Sequence, residues 1–334
     1  MNNNLNNISS LNFFRGVAGY GVAICHFYYY LYNLDNFQFY SIFFVEFFFI
    51  LSGFVLFPQL QKVYNNTRNT KTFYLRRWLR TIPPYILALV CYSILFVKYD
   101  SDTLKYLFFI QKITDSFVGF DYFSVAWSLS VEEFFYFIFP IFLIILNKRK
   151  FIHIVILFIL IIYILKISYL FLNEGVEFYR IGTFLRLDAI AFGVLTRVYL
   201  EKIKNNLINI LSIILIVISM NYFLLNLKNL TILESFLFVL LTQCFSVNII
   251  IIFINFNKFI VNKNLESFFS LLAKQTYSIY LFHFIIIYLI NTNNFLMTSK
   301  FIFIFYLIFL FLFSSLFYYI FEKSFVENRP KYKF

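Results

Sequence analysis

An all-α, polytopic membrane bundle of about ten transmembrane helices is the fold class this sequence predicts, and three observations predict it. The 334-residue chain is 61% hydrophobic. Its charged fraction is 13%, about half the ~25% usual in soluble domains, which leaves too little polar surface to cover a soluble fold. The charges are also gathered into short blocks between apolar runs of roughly 20 residues, the length that crosses a bilayer as a helix.

Those runs lie near 11–32, 40–57, 82–98, 132–147, 151–172, 184–200, 207–226, 231–256, 276–291 and 300–322. Alternate connections should be basic if the segmentation is right. The loop after the second run carries Lys62, Arg68, Lys71, Arg76, Arg77 and Arg80 and no acid, and the loop after the fourth carries Lys148, Arg149 and Lys150. The connection from Tyr99 to Val131 instead holds Asp100, Asp102, Asp115 and Asp121 against Lys105 and Lys112. That near Asn173 to Thr183 holds Glu174 and Glu177 against Arg180. The tail, with Lys323, Arg329, Lys331 and Lys333 against Glu322 and Glu327, is basic again. Ten crossings with both termini cytoplasmic satisfy every loop. The apolar stretches Tyr106–Ile110 and Phe117–Phe123 in the long outer connection point to a re-entrant or interfacial segment.

The net charge of +12 is explained by these blocks, so no nucleic-acid partner is expected. Cys25, Cys91 and Cys244 lie in apolar runs without paired spacing, which argues against a disulfide framework and a cysteine metal site. Fifty-two Phe reflect a general bias toward Phe, Ile, Asn, Lys and Tyr. The first run has no small-residue cleavage site after it and reads as an uncleaved span. The whole chain reads as one transmembrane domain, without a fused extracytoplasmic domain, so any chemistry belongs inside the bundle.

Ionisable residues in hydrocarbon are costly and are therefore site candidates. Arg15 and His26, eleven residues apart, fall within about 20° of one helical face and about 16 Å apart along it. Arg76, Arg77 and Arg80 stand where the third span begins; they suit the phosphates of an anionic ligand, and membrane anchoring predicts a similar cluster. In the segment AWSLSVEEFFYFIFP, Ser128, Glu132 and Tyr136 repeat every four residues on one face, with Trp127 just before them. Glu133 turns away and reads as a capping acid at the outer end of that helix. Arg186 and Asp188 are two apart and cannot pair with each other on a regular helix, so each needs a partner elsewhere, either a structural ion pair or a substrate. His283 among aromatics and Glu46 in the second span are secondary candidates. Ser52 with Gly53 suits close helix approach.

Taken together, these motifs resemble the membrane-bound acyltransferase family 3, whose members O-acylate bacterial surface polysaccharides and related glycans. FFRGVAGYGVAICHF is similar to the family's first-helix Arg, ten residues, His pattern, and VEFFFILSGF to its second-helix signature. FYLRRWLR resembles its Arg-x-x-Arg entry to the third helix, and WSLSVEEFFYFIFP its Trp-Ser-Leu-Ser-Val-Glu-Glu signature. RLDAIAFG, YSIYLFHF and FEKSF follow in the family's order. Asn12 and Phe44 depart from it, standing where Asp and Gly are common.

The resemblance implies an O-acyltransferase, by family usage an O-acetyltransferase, of the bacterial inner membrane. Acetyl-CoA or another acyl-CoA would be a co-substrate, with no tightly bound cofactor and no metal. The acceptor would be a surface polysaccharide or a lipid-linked glycan such as an O-antigen, with membrane lipids as the other partners. Arg77, Arg80 and Arg76 would hold the CoA phosphates, Arg15 would guide the pantetheine arm, and His26 would act as general base or acyl carrier with Glu132 orienting it. Two other classes remain at this point: a proton-coupled or anion transporter, which the same intramembrane charges would suit, and a non-catalytic scaffold for glycan assembly. The absence of an inverted repeat weighs against the transporter, and the scaffold leaves His26 and Glu132 without a reason.

Overall fold

The computed structural model describes residues 9–114, 118, 121–169, 171, 177–200, 206–226, 229–257, 262–293 and 301–332. Asp115, Phe117, Glu174 and Lys333 lie outside the described residues. Among the described residues the chain is a helical bundle with no strand. In order the helices are α1 (Ser9–Tyr32), α2 (Asp35–Asn65), α3 (Asn69–Leu95), the short α4 (Ser101–Leu107), α5 (Ala126–Ile145), α6 (Phe151–Tyr169) and the single turn α7 (Phe178–Ile181). A 3-10 turn, Phe184–Arg186, leads into α8 (Leu187–Tyr199). There follow α9 (Asn206–Asn226), α10 (Ile232–Phe256), α11 (Lys263–Asn291), α12 (Ile302–Phe317), a π turn (Tyr318–Glu322) and α13 (Lys323–Glu327).

Among the described residues, seven helical stretches are long and apolar enough to cross a bilayer: α2, α3, α5, α6, α9, α10 and the run from Ile302 to Glu327. Ten such helices were expected. The other three expected runs fall on α1, α8 and α11, and a physical reason separates them from the seven. Helices α1 and α11 pack mainly on protein, α1 against α11 and α2. A helix sheltered from lipid can carry Arg15, His26, Gln275 and His283 without exposing them to hydrocarbon. Helix α8 has 13 residues, a rise of about 20 Å, and is too short to span the ~30 Å hydrocarbon core alone. It is instead wedged between α2 and α6.

Two glycines make that wedge possible. A Cβ on Gly53 would lie 1.8 Å from the Ile190 carbonyl oxygen, and one on Gly193 would lie 2.0 Å from the Ile50 carbonyl oxygen. Backbones that close gain dispersion contacts, the main attraction between helices when lipid is as apolar as the side chains.

The α2–α8 seam also holds the buried charges. Arg186 pairs with Glu46 of α2. Asp188 pairs with Lys166 of α6 at 2.5 Å and accepts a hydrogen bond from Gln243 of α10 at 3.0 Å. Of the two openings the sequence leaves for Arg186 and Asp188, the structure takes the ion pair. Two ion pairs thus tie α2, α6 and α8 with its leading turn, and the Gln243 hydrogen bond adds α10; each charge is matched, the condition under which ions persist at membrane depth.

The described part of the long connection after α3 packs back onto the bundle. Phe109 stacks on Tyr85 of α3 with ring centres 4.3 Å apart, and Phe123 on Tyr92 at 4.2 Å. Tyr106 donates to Asp121 at 2.6 Å, and Asp121 also pairs with Lys112 at 3.0 Å. Tyr106, Lys112 and Asp121 therefore satisfy one another within the segment.

Candidate active site

Two cavities occupy opposite halves of the bundle, and the sequence-derived candidates divide between them. The first, about 830 Å³, is lined by Arg15 of α1, Ser52 of α2, Arg77, Arg80 and Thr81 of α3, Ser128, Glu132 and Tyr136 of α5, and Tyr277 and Tyr280 of α11, among others. It lies toward the end where α1 and α3 begin. The second, about 670 Å³, is lined by His26, Trp127, Lys112, Asp121, Glu177, Arg180 and Tyr280 with several neighbours. It lies toward the end where α1 finishes and the long connection after α3 packs. Val45 and Tyr280 line both cavities, so the two meet across these side chains.

In the first cavity, Tyr136 donates to Glu132 Oε2 at 3.0 Å, and Ser52 Oγ lies 3.0 Å from the same tyrosine oxygen. With its proton on Glu132, Tyr136 accepts from Ser52. Arg77 donates to Gln59 at 2.6 Å, and its guanidinium lies over the Tyr136 ring. The side chains of Arg15 and Arg80 make no hydrogen bond among the described residues. Three guanidiniums therefore face a cavity whose lining supplies one carboxylate, Glu132. A cavity with unengaged guanidinium donors is built for an anion with several oxygens, such as a phosphate.

The placement of Glu132 corrects two expectations. Helix α5 begins at Ala126, so the acids lie about two turns inside it, not at its outer end. Glu132 also faces the arginines; it does not pair with His26. Glu133 is buried and does not cap the helix; its side-chain partner is Thr81 of α3. Arg76, expected beside Arg77 and Arg80, is missing from the cavity lining. It donates to the Pro330 carbonyl at 2.7 Å and lies over the Tyr332 ring. Glu46, Arg186 and Asp188 belong to the ion pairs of the α2–α8 seam and line neither cavity.

The partner of His26 is His283. Their Nδ1 and Nε2 atoms are 2.8 Å apart. Helices α1 and α11 run parallel in a nearly constant register that sets Gly16 on Leu272, Gly19 on Thr276 and His26 on His283. Added Cβ atoms at the two glycines would meet those neighbours at 2.7 and 2.9 Å. The sequence carried the signal: Gly16, Gly19, Ala23 and His26, spaced by three and four, form one stripe of small residues ending in a histidine. Such a stripe faces a helix.

Three contributors escaped sequence reasoning. Arg180, counted as a loop charge, lines the His26 cavity beside Trp127, with its guanidinium 6.0 Å from the indole ring centre and 2.5 Å from Glu177. Lys166 sits in the apolar run FILIIYILKIS, where the cost of a membrane charge should have flagged it. The tail enters the sequence reading as a basic cytoplasmic end. It folds across the start of α3, where Tyr332 donates to Gln59 at 3.1 Å. Burial, then the charges of Arg80, Arg76 and Arg77, pull Arg329 down to about 10, so it remains a cation at neutral pH.

A family model described as an acyltransferase domain, that of acyltransferase family 3, matches residues 8–319. No curated protein and no solved structure matches the chain.

Proposed function

Since the chain belongs to acyltransferase family 3 and is a membrane acyltransferase, we propose that it transfers an acyl group, most simply acetyl, from acyl-CoA to a glycan hydroxyl. The observation that carries this reading is the first cavity, where Arg15, Arg77 and Arg80 converge and two of the three are unengaged. Phosphates of CoA are the polyanion that an acyltransferase must hold, and the thioester arm would extend from them toward Val45 and Tyr280.

The acceptor enters from the other cavity. Trp127 offers a flat apolar face and an indole N–H for a sugar ring, and the Lys112–Asp121 and Arg180–Glu177 pairs surround it with hydroxyl partners. His26 takes the proton of the acceptor hydroxyl as its oxygen attacks the thioester carbonyl. The tetrahedral intermediate then expels the CoA thiolate, which receives that proton from His26, leaving an ester and free CoA. Glu132 offsets part of the mutual repulsion of the guanidiniums. The acceptor is a surface polysaccharide or lipid-linked glycan, and the loop charges orient both termini to the cytoplasm of a bacterial inner membrane, where acyl-CoA is found.

Purified protein in lipid nanodiscs, given labelled acetyl-CoA and a surface glycan, should release CoA and produce base-labile acylated glycan only when both substrates are present. CoA release without acceptor acylation, or neither product, would contradict the assignment.

A further inference from the structure

We propose that His283 is a positioning residue that fixes the tautomer of His26, so that His26 presents a bare Nε2 to the acceptor. The inference rests on the reading of His26 as the base. It begins with an acceptor whose role cannot change. His283 Nδ1 lies 3.0 Å from the Ile279 carbonyl oxygen. A carbonyl only accepts, so His283 Nδ1 carries the hydrogen. A neutral imidazole has one N–H, which leaves His283 Nε2 with a lone pair. His26 Nδ1 faces that lone pair at 2.8 Å and therefore donates. The remaining nitrogen, His26 Nε2, then has no hydrogen and is free to accept a proton.

The ring geometry agrees. The two imidazole planes lie within 16° of each other, with centres 5.1 Å apart. With the nitrogens 2.8 Å apart, the contact runs edge to edge within a nearly common plane, the direction in which an imidazole lone pair points. Phe284 packs against both rings, at 4.8 and 4.9 Å between centres, and Tyr280 lies 5.9 Å from His283. His283 is fully buried, whereas His26 lines the second cavity, so the relay runs from the core outward. Its Nε2 has no hydrogen-bond partner among the described residues. When His26 gains the acceptor proton, its Nδ1–H bond to His283 becomes charge-assisted and stabilises the imidazolium. A carboxylate fills this place in the serine-protease triad, where losing the correct tautomer costs about 10⁴ in turnover.

The test combines a spectrum with three variants of the full-length protein in nanodiscs. Nitrogen-15 spectra of histidine-labelled wild type, with the His26 signals identified by their loss in His26→Ala, should show Nδ1 protonated and Nε2 bare. His283→Leu should lower kcat at least 10²-fold with the KM for acyl-CoA unchanged. His283→Gln, whose side-chain oxygen can accept from His26 Nδ1, should restore kcat to within about tenfold of wild type at the same thermal midpoint as His283→Leu. A protonated Nε2 on wild-type His26, or unchanged kcat in His283→Leu while His26→Ala is inactive, would overturn the inference and leave the base assignment standing. Normal transfer by His26→Ala would instead overturn the base assignment itself.

Discussion

His26 and His283 meet nitrogen to nitrogen at 2.8 Å across the interface of α1 and α11, while Glu132 faces Arg15, Arg77 and Arg80 in a different cavity. Under the proposed function the histidines serve the acceptor and the carboxylate serves the donor, and each role has a measurable consequence.

Replacing Arg80 or Arg77 with Ala should raise the KM for acyl-CoA and leave that for the glycan near its wild-type value. A lost charge-assisted hydrogen bond is worth about 1.5–3 kcal/mol, or roughly ten- to 150-fold. Arg76→Ala should have a smaller effect on the donor, because its guanidinium is held by the Pro330 carbonyl and the Tyr332 ring. Initial rates against acyl-CoA concentration, at matched protein levels, check both.

Glu132→Gln should also act through the donor. It removes the carboxylate among three guanidiniums and should change the acyl-CoA dependence while leaving the tautomer of His26 intact. Glu133→Gln, whose side chain is buried and does not line the arginine cavity, should retain most activity. Donor titrations of both variants beside the His26 nitrogen-15 signals distinguish this from direct assistance to the base.

The tail should contribute electrostatically. Arg329→Ala should weaken acyl-CoA binding only a few-fold, and the difference from wild type should fade as salt rises and screens it. Binding measured at low and high ionic strength is the check.

The buried pairs should govern stability and spare substrate affinity. Lys166→Met leaves Asp188 without its cation and should cost about 3–5 kcal/mol, seen as a lower thermal midpoint and a lower yield from membranes. Adding Asp188→Leu should recover much of that loss. The KM values of whatever protein survives should not move.

The membrane class, the helix order and the faces carrying the arginines and Ser128, Glu132 and Tyr136 were legible in the sequence. Hydropathy and a period of four residues are local properties. The pairings across helices were not legible, because a stripe says which face is turned inward without saying what it meets. Depth alone made Glu132 the nearest carboxylate for His26, yet the α1–α11 register put His283 there. A lone histidine among aromatics gave no sign of a second histidine 257 positions away. Helix α8 was read as a full span because RLDAIAFG joins an apolar run; its 13 residues and its glycine contact with α2 show a wedge.

The measurement that tests the central claim most directly is glycan acylation by His26→Ala in membranes matched for protein amount, scored beside acyl-CoA binding. A general base contributes about 10²–10⁴ to rate, so transfer should fall by that factor while donor binding, made by arginines in the other cavity, stays at the wild-type level. Acylation near the wild-type rate, or loss of acyl-CoA binding in step with activity, would contradict it.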